Sequence, residues 1–233
     1  GSKRLPNKNS KLLNKKPLIS YSIEFAKQFK EISEIIVTTN DKKIADLSKK
    51  LGANVPELRP ASLSTDSTPM YKVLHYVQRT FLSEVDYDYL ILLDPTSPAR
   101  DVKDLKQSIK IMNQNKKLDG VVAVSKPFFN PYWVGVTKSK RNIIVPINEM
   151  ETGYSTSQEA SSYFRINGNF YLWRSGKVLN LDKNYLSKME IFGFEIDEIR
   201  AFSIDTQSEF QILEAYVKYG LVNLDYGRGT QIL

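Results

Sequence analysis

Cations cluster at the start of the chain in a stretch whose residue types could bind a polyphosphate. Residues 1–9 read GSKRLPNKN, so Lys3, Arg4 and Lys8 stand among glycine, proline and asparagine, which are typical of turns. Such a turn presents backbone N–H groups that, with the cations, could neutralise a triphosphate and assist the departure of pyrophosphate. Asn9 adds an amide that could pair with a base or a ribose. The stretch lacks the G-x-x-x-x-G-K-[ST] pattern of a P-loop, and basic tails are common, so it needs support from other motifs.

A second candidate is a proline-braced loop that follows the most apolar predicted strand. Residues 92–100 read LLDPTSPAR, and the strand ends before Asp94. The two prolines fix φ and remove N–H donors, so the loop is stiff. A stiff loop that holds Asp94, Thr96, Ser97 and Arg100 suits a polyhydroxylated, acidic ligand. The alternative is a turn whose hydroxyl groups cap the next helix.

Three further stretches carry polar groups that could act beside these loops. Residues 58–68, LRPASLSTDST, combine Arg59 with a hydroxyl-rich turn that could hold a nucleotide, and the same hydroxyls are expected to cap the following helix. The stretch YFRINGNFYLW places Arg165 beside Asn167 at the entrance of a predicted strand. Asp205 ends another predicted strand, where a divalent cation could bridge it to phosphates, and the alternative is a helix N-cap.

Predicted strands alternate with predicted helices, which favours a Rossmann-like α/β fold with a mostly parallel sheet covered by helices on both faces. In such a sheet, ligands bind at the carboxyl ends of the strands, where the candidate residues lie. The predicted strands are 34–40, 88–94, 120–126, 167–174 and 199–205. The predicted helices are 17–29, 41–52, 69–84, 101–115 and 206–220.

The pattern changes after residue 126, where aromatic, β-branched and turn-forming residues predict an antiparallel excursion with a hairpin tip at 137–142. We therefore divide the chain into an α/β core, 1–126 and 164–233, and an insertion, 127–163. The many aromatics of the insertion indicate a dimer contact, and the alternative is an ordinary packed hairpin. Residues 183–202 predict only a surface excursion.

Composition bounds the class of protein. The 233 residues favour one domain, or one domain with an insertion. No apolar run approaches about 18 residues and the N-terminus lacks a secretory signal, so we expect neither a membrane span nor secretion. The lack of cysteine excludes disulfides and is compatible with the cytoplasm. The net charge of +7 suits nucleic acid, a polyphosphate substrate or a lysine-rich surface. Nucleic acid is disfavoured, because the aromatics concentrate far from the basic opening.

Taken in order, five motifs resemble those of the acylneuraminate cytidylyltransferases, the CMP-sialic acid synthetase family. They are SKRLPNKN, LRPASLSTD, LLDPTSPAR, FRINGNFYL and SIDTQSEF, and the correspondence runs from residue 1 to about residue 215. CMP-Kdo synthetases share the basic opening but lack the TSP-type loop. The resemblance implies a Rossmann-like fold, a homodimer joined through the insertion, CTP as co-substrate and Mg²⁺ as cofactor. It implies that the anomeric oxygen of a nonulosonic acid attacks the α-phosphorus of CTP, giving a CMP-sugar and pyrophosphate.

The resemblance also implies roles for individual residues. Catalytic roles would fall on Lys3, Lys8 and Arg165. The nucleotide would be contacted by Ser2, Arg4, Asn9, Arg59, Ser64, Asp66 and Thr68. The acidic sugar would be contacted by Asp94, Thr96, Ser97, Arg100 and Asn167, with an arginine fork on its carboxylate. Mg²⁺ would bind Asp205.

Three departures from the family pattern bear on these roles. Sialic acid enzymes usually carry glutamine at the position of Asp94, and legionaminic acid synthetases are more similar to this chain there. Ser203 stands where the family usually presents the first aspartate of a D-x-D pair. The first core strand, which precedes the basic loop in the family, is not part of this sequence, and we expect roughly ten further residues upstream. Two alternatives stay open: a degenerate member that binds nucleotide or sugar without turnover, and a nucleotidyltransferase for another acidic sugar such as Kdo.

Overall fold

The computed structural model describes residues 4–147 and 161–226 of the chain. Its strands are β1 (Leu12–Leu13), β2 (Lys16–Pro17), β3 (Tyr89–Leu92), β4 (Gly120–Ser125), β5 (Val136–Lys138), β6 (Ile144–Pro146), β7 (Arg165–Arg174) and β8 (Ile191–Glu195). Its α-helices are α1 (Leu18–Ala26), α2 (Lys42–Lys50), α3 (Met70–Phe81), α4 (Val102–Gln114), α5 (Pro131–Val134), α6 (Tyr185–Lys188) and α7 (Gln207–Lys218). No helix in these ranges is long and apolar enough to cross a membrane.

The central sheet is mixed, with the strand order β3-β7-β4-β8. β7 pairs antiparallel with both β3 and β4, whereas β8 pairs parallel with β4. Three of these four strands therefore run in the same direction, and β7 runs against them. The predicted α/β class is confirmed, and the reversed β7 is what makes the sheet mixed.

Apolar residues cover both faces of the sheet, because successive strand residues point to opposite sides. On one face, Phe25 of α1 and Leu105 of α4 pack with Phe170 of β7. On the other face, Leu74 of α3 packs with Trp173 of β7. Helices therefore lie on both faces, as the alternating pattern predicts.

A bulge interrupts β7 beside the candidate site. In the pairing of β4 with β7, Val122 lies opposite Tyr171, whereas Val124 lies opposite Ile166. More residues of β7 than of β4 lie between these two pairs, so the extra β7 residues bend out of the ladder. Gly168 lies in this stretch with φ 75°, a conformation that a side chain disfavours. Beside the glycine, the backbone oxygen of Asn167 and the side chain of Asn169 form hydrogen bonds with the neighbouring loop.

Two predicted strands are wrong, and three strands were not predicted: β8 and the two-residue strands β1 and β2. The stretch 34–40 forms only an isolated parallel bridge, Ile36 to Asn54, and 199–205 contains no strand. Their β-branched residues indicate burial, but a strand also needs a neighbour to pair with. β8 lies in the stretch 183–202, which predicted only a surface excursion, and it is defined by its pairing with β4.

The five predicted helices are all present with shorter bounds. The hydroxyls of 58–68 do not cap α3 as expected, because α3 begins after Pro69 with no side-chain cap. Asp41 accepts hydrogen bonds from Lys43 N and Ile44 N at the start of α2. Thr206 and Glu209 form a reciprocal capping box at the start of α7.

The predicted antiparallel excursion is present as a hairpin. β5 and β6 pair antiparallel and form a sheet of their own. Five of their six residues are exposed, so the hairpin projects from the described core rather than packing on it. Residues 148–160 of the predicted insertion lie outside the described residues.

Candidate active site

The loop after β3 is organised around the carboxylate of Asp94. Its Oδ1 accepts hydrogen bonds from Thr96 N at 3.0 Å and from Thr96 Oγ1 at 2.8 Å. Ser97 N donates to Asp94 O at 3.1 Å, which closes the turn. Among the described residues Oδ2 of Asp94 receives no hydrogen bond. One oxygen therefore holds the loop, and the other is left for a ligand.

Arg100 braces this loop from beneath instead of facing a ligand. Its Nε donates to Asn169 O at 2.6 Å, Nη1 to Ser22 Oγ at 3.0 Å and Nη2 to Asp94 O at 2.5 Å. The residue is 4% exposed, and burial lowers the pKa of its guanidinium. The expectation that Arg100 meets the sugar carboxylate does not fit this position, because its donors serve three elements of the protein.

The β7 bulge joins the loop from the side. Ser97 Oγ donates to Asn167 O at 3.2 Å, and Asn169 Nδ2 donates to Ala99 O at 3.0 Å. Asn167 Oδ1 accepts from Asn169 N at 3.1 Å, but its buried Nδ2 has no hydrogen-bond partner among the described residues. A buried amide without an acceptor is costly, so Asn167 Nδ2 is a candidate donor to a ligand or an ordered water.

The segment before α7 is tied to the same loop. Ile204 N donates to Thr96 O at 2.9 Å, and Ser203 Oγ donates to Thr96 Oγ1 at 3.2 Å. The hydroxyl of Ser203 therefore links this segment, through Thr96, to the carboxylate of Asp94.

Asp205 forms ion pairs with two cations of the basic opening loop. Lys8 Nζ donates to Asp205 Oδ1 at 2.9 Å and to Ile204 O at 2.8 Å, and Arg4 Nη2 lies 3.3 Å from Asp205 Oδ2. The hydrogen bond from Lys8 and the charges of both cations hold the pKa of Asp205 below its usual value. Thr206 takes the N-cap of α7, so the Asp205 side chain is free for these ion pairs.

The hydroxyl-rich turn around Arg59 forms a separate hydrogen-bonded unit. Arg59 N donates to Thr39 O at 2.8 Å, and its Nε donates to Ser64 Oγ at 3.1 Å. Thr65 and Thr68 share a hydroxyl bond of 2.7 Å. Burial lowers the pKa of the Arg59 guanidinium. These bonds fold the predicted nucleotide turn on itself and anchor it at Thr39.

Arg165 lies at the start of β7 and is partly committed to the protein. Its Nε donates to Glu198 Oε1 at 2.9 Å, and Nη2 donates to Ala201 O at 3.0 Å. Its side chain remains 32% exposed, so a ligand could still reach an outer edge of the guanidinium.

The sequence did not indicate Tyr171, which lies near Asp94. Burial raises the pKa of Tyr171 to about 12, and the charges of Tyr185 and Asp94 add to the effect. Its ring stacks on Trp173 at 6.3 Å. Its position near Asp94 depends on the pairing of β7 with β3, where Tyr171 lies opposite Leu92, and a local sequence pattern does not show that pairing.

The structure thus brings together most of the predicted loop and strand-end residues. One hydrogen-bonded group contains Arg4, Lys8, Asp94, Thr96, Ser97, Asn167 and Asp205, and the turn with Arg59, Ser64 and Thr68 is a second group. Asn9 is half-buried in the turn that carries Lys8, and Asp66 is exposed in the second group. Ser2 and Lys3 lie outside the described residues.

The described residues contain no group of three or more carboxylate, histidine or cysteine side chains that could enclose a metal ion. Mg²⁺ is usually held by one or two carboxylates together with substrate phosphates and water. The side chain of Asp205 is 43% exposed and lies beside Lys8, a candidate phosphate-binding residue. Asp205 could therefore supply the single carboxylate of such a magnesium site.

Comparison with known proteins identifies the family. The sequence profile described as Cytidylyltransferase matches residues 1–228, and the chain belongs to this family. The CMP-N,N'-diacetyllegionaminic acid synthase of Legionella pneumophila is 32% identical over 189 residues, which cover 81% of this chain and 79% of that protein. The N-acylneuraminate cytidylyltransferase of Escherichia coli is 28% identical over 91% of this chain and 48% of that protein. The membership predicted from the five motifs is confirmed.

The fold has solved relatives. A CMP:2-keto-3-deoxy-manno-octonic acid synthetase solved with CTP superposes with a TM-score of 0.66 at 18% identity, covering 94% of this chain and 95% of that one. At this identity the similarity supports the fold alone, which agrees with the α/β prediction.

Proposed function

We propose that the protein transfers CMP from CTP to a nonulosonic acid and releases pyrophosphate. The observation that carries the proposal is the hydrogen-bonded link between a cationic loop and a loop rich in hydroxyl and carboxylate groups. Lys8 binds Asp205, Ile204 N binds Thr96 O, and Thr96 binds Asp94. A polyphosphate and a polyhydroxylated acid could therefore lie side by side. The names of the curated relatives support this pair of substrates.

In the proposed reaction the anomeric hydroxyl oxygen of the sugar attacks the α-phosphorus of CTP. The new P–O bond forms as the bond to pyrophosphate breaks, and the hydroxyl proton passes to solvent or to a nearby base. Such a transfer depends on in-line positioning and charge neutralisation more than on a covalent nucleophile. Lys8 and Arg4, with Lys3, would neutralise the phosphates. Arg59 and its turn would hold the cytidine.

The loop after β3 would bind the acidic sugar. Asp94 Oδ2 accepts but cannot donate, so it suits a hydroxyl or an amide N–H of the sugar. Asn167 Nδ2 would supply a donor, and Arg165 the positive charge for the sugar carboxylate. Arg100 would act indirectly, by fixing the loop.

Mg²⁺ is part of the proposal as a cofactor. Asp205 would hold it together with phosphate oxygens of CTP. When bound, Mg²⁺ would neutralise charge that develops on the phosphates. The Ser203 hydroxyl would link this segment to the loop after β3, because it donates to Thr96 Oγ1.

We also propose a homodimer that forms through the insertion, and a cytoplasmic location, where CTP is available. Phe128 is 81% exposed, Phe129 63% and Trp133 47%, although large aromatic side chains are usually buried. A second copy of the chain would cover them. Light scattering tests this: the wild type should elute as a dimer, and Phe128→Asp should shift it to monomer, whereas a monomeric wild type contradicts it.

The proposed activity is tested by pyrophosphate release with CTP and Mg²⁺ against sialic, legionaminic, pseudaminic and Kdo acids, with ATP, GTP and UTP as controls. Release with CTP and one nonulosonic acid supports the proposal and identifies the sugar. Release with Kdo alone would identify Kdo, rather than a nonulosonic acid, as the sugar substrate. Folded protein that binds CTP but releases nothing with any acid would favour the non-catalytic alternative.

A further inference from the structure

Two cations that the proposed function assigns to phosphate already share a carboxylate. Lys8 Nζ lies 2.9 Å from Oδ1 of Asp205, and Arg4 Nη2 lies 3.3 Å from Oδ2. Each oxygen of Asp205 thus faces one cation, much as two oxygens of a phosphate would. A polyphosphate that binds Lys8 and Arg4 must compete with this carboxylate.

The two sides of the ion pair differ in how readily they can move. The side chain of Lys8 is only 10% exposed and also donates to Ile204 O, so it is fixed at the site. The side chains of Asp205 and Arg4 are 43% and 70% exposed, so both can exchange partners with solvent or a ligand. A counter-charge stabilises a buried ammonium, because an unpaired buried charge is costly. Asp205 supplies that charge when no phosphate is present.

We propose that Asp205 is an internal counter-ion that occupies the phosphate position on Lys8 and Arg4 until a polyphosphate displaces it. This inference rests on the proposed function, since it assumes that these cations bind CTP phosphates. Displacement leaves the Asp205 carboxylate beside new negative charge, which is unfavourable unless a divalent cation lies between them. Polyphosphate alone therefore binds weakly, and the carboxylate becomes available to a cation only when phosphate has taken its partners.

The test measures binding of inorganic pyrophosphate by calorimetry in the presence of EDTA. Asp205→Asn removes the competing charge but keeps the shape, and we expect it to bind metal-free pyrophosphate about tenfold more tightly than the wild type. In a Lys8→Met background the same substitution should lose most of this gain, because Asp205 acts chiefly through Lys8. Equal or weaker binding by Asp205→Asn, or a gain that persists in full without Lys8, would overturn the proposal.

A matched control separates this effect from overall charge. Asp46→Asn removes the same charge from a surface pair with Lys42 at 3.2 Å, whose side chains are 53% and 79% exposed. It should leave pyrophosphate binding unchanged. A tenfold gain in this variant too would mean that net charge alone is responsible.

A measurement on the wild type covers the case in which Asp205→Asn does not fold. The carboxyl ¹³C signal of Asp205 should move when metal-free pyrophosphate is added, because the carboxylate loses its partners. An unchanged signal at saturating pyrophosphate would contradict the displacement. If the protein turns over CTP but shows neither the binding gain nor the signal shift, the counter-ion role of Asp205 is refuted and the proposed function stands. If the wild type binds neither pyrophosphate nor CTP, with or without Mg²⁺, the proposed function is refuted.

Discussion

Two nearly buried cations support the candidate site in different ways. Arg100 is 4% exposed and donates to three neutral oxygens, on Asn169, Ser22 and Asp94. Lys8 is 9% exposed and is paired with the carboxylate of Asp205. Because the partners of Arg100 are internal parts of the fold, its bonds persist whatever binds. The partner of Lys8 is reachable from solvent, so its bond can be exchanged.

The chemistry of the two side chains suits these roles. A guanidinium offers five donors in a rigid fork, which lets one residue join α1, β7 and the loop after β3. An ammonium is a compact point charge whose donors rotate, so Lys8 can stay in place while its partner changes from a carboxylate to a phosphate. Burial alone therefore does not distinguish a structural cation from a binding cation, whereas the accessibility of the partner does.

The largest expected effect on stability comes from Arg100→Met. The substitution removes the donors of three hydrogen bonds, and of the three acceptors Asp94 O keeps a donor in Ser97 N. We expect a loss of about 3 kcal/mol in the free energy of unfolding. Urea denaturation measures it, with Arg79→Met, an exposed arginine of α3, as the control that should change little. A loss similar to that of the control would show that Arg100 is not the brace of the loop.

Lys8→Met should give the opposite pattern, with a small change in stability and a large loss of activity. Methionine fills the buried path of the lysine stem, and Asp205 can turn to solvent. Removal of one phosphate-binding cation should lower kcat/KM for CTP by about 100-fold. Steady-state pyrophosphate release and thermal denaturation together check this. A stability loss as large as that of Arg100→Met, with activity retained in the folded fraction, would remove the contrast between the two cations.

The sequence predicted the members of the site better than their roles. Arg100 and Lys8 both belong to recognisable motifs, but nothing in LLDPTSPAR indicates that the arginine points into the core. Its direction depends on Asn169 and Ser22, which lie 69 and 78 positions away in sequence. Ser203 looked like a lost metal ligand, and only its contact with Thr96 shows what the hydroxyl does.

For the fold, too, the sequence predicts local features better than features that depend on distant residues. The five predicted helices are all present, and their caps, such as Asp41 and Thr206, act within a few residues of the helix start. Strands depend on distant neighbours, so 34–40 and 199–205 were mistaken for strands and β8 was missed. The β7 bulge also lies beyond local pattern, because it is a difference in register between two strands.

Asp94→Asn compares the two carboxylate oxygens of Asp94, one of which holds the loop while the other is left for a ligand. Asparagine keeps an oxygen that can accept from Thr96, so the loop and its stability should be preserved, while a donor replaces the ligand-facing Oδ2. We expect the KM for the sugar to rise about tenfold with that for CTP unchanged. Separate titrations of the two substrates check the result. An equal rise for CTP would mean that the substitution disturbs the whole loop rather than the sugar contact.

The smallest expected effect comes from Tyr226→Phe, which removes a hydroxyl that donates to Pro98 O in the loop that Arg100 braces. Loss of this bond should cost about 1 kcal/mol of unfolding free energy at neutral pH. Burial raises the pKa of Tyr226 to about 12, whereas an unfolded tyrosine ionises near pH 10. Between these values the unfolded state releases the proton first, so the contribution of Tyr226 to stability falls as the pH rises. Urea denaturation of both proteins at pH 8 and pH 11 checks this: the wild-type advantage should shrink at the higher pH, and an undiminished advantage would mean that the hydroxyl is not held protonated against the loop.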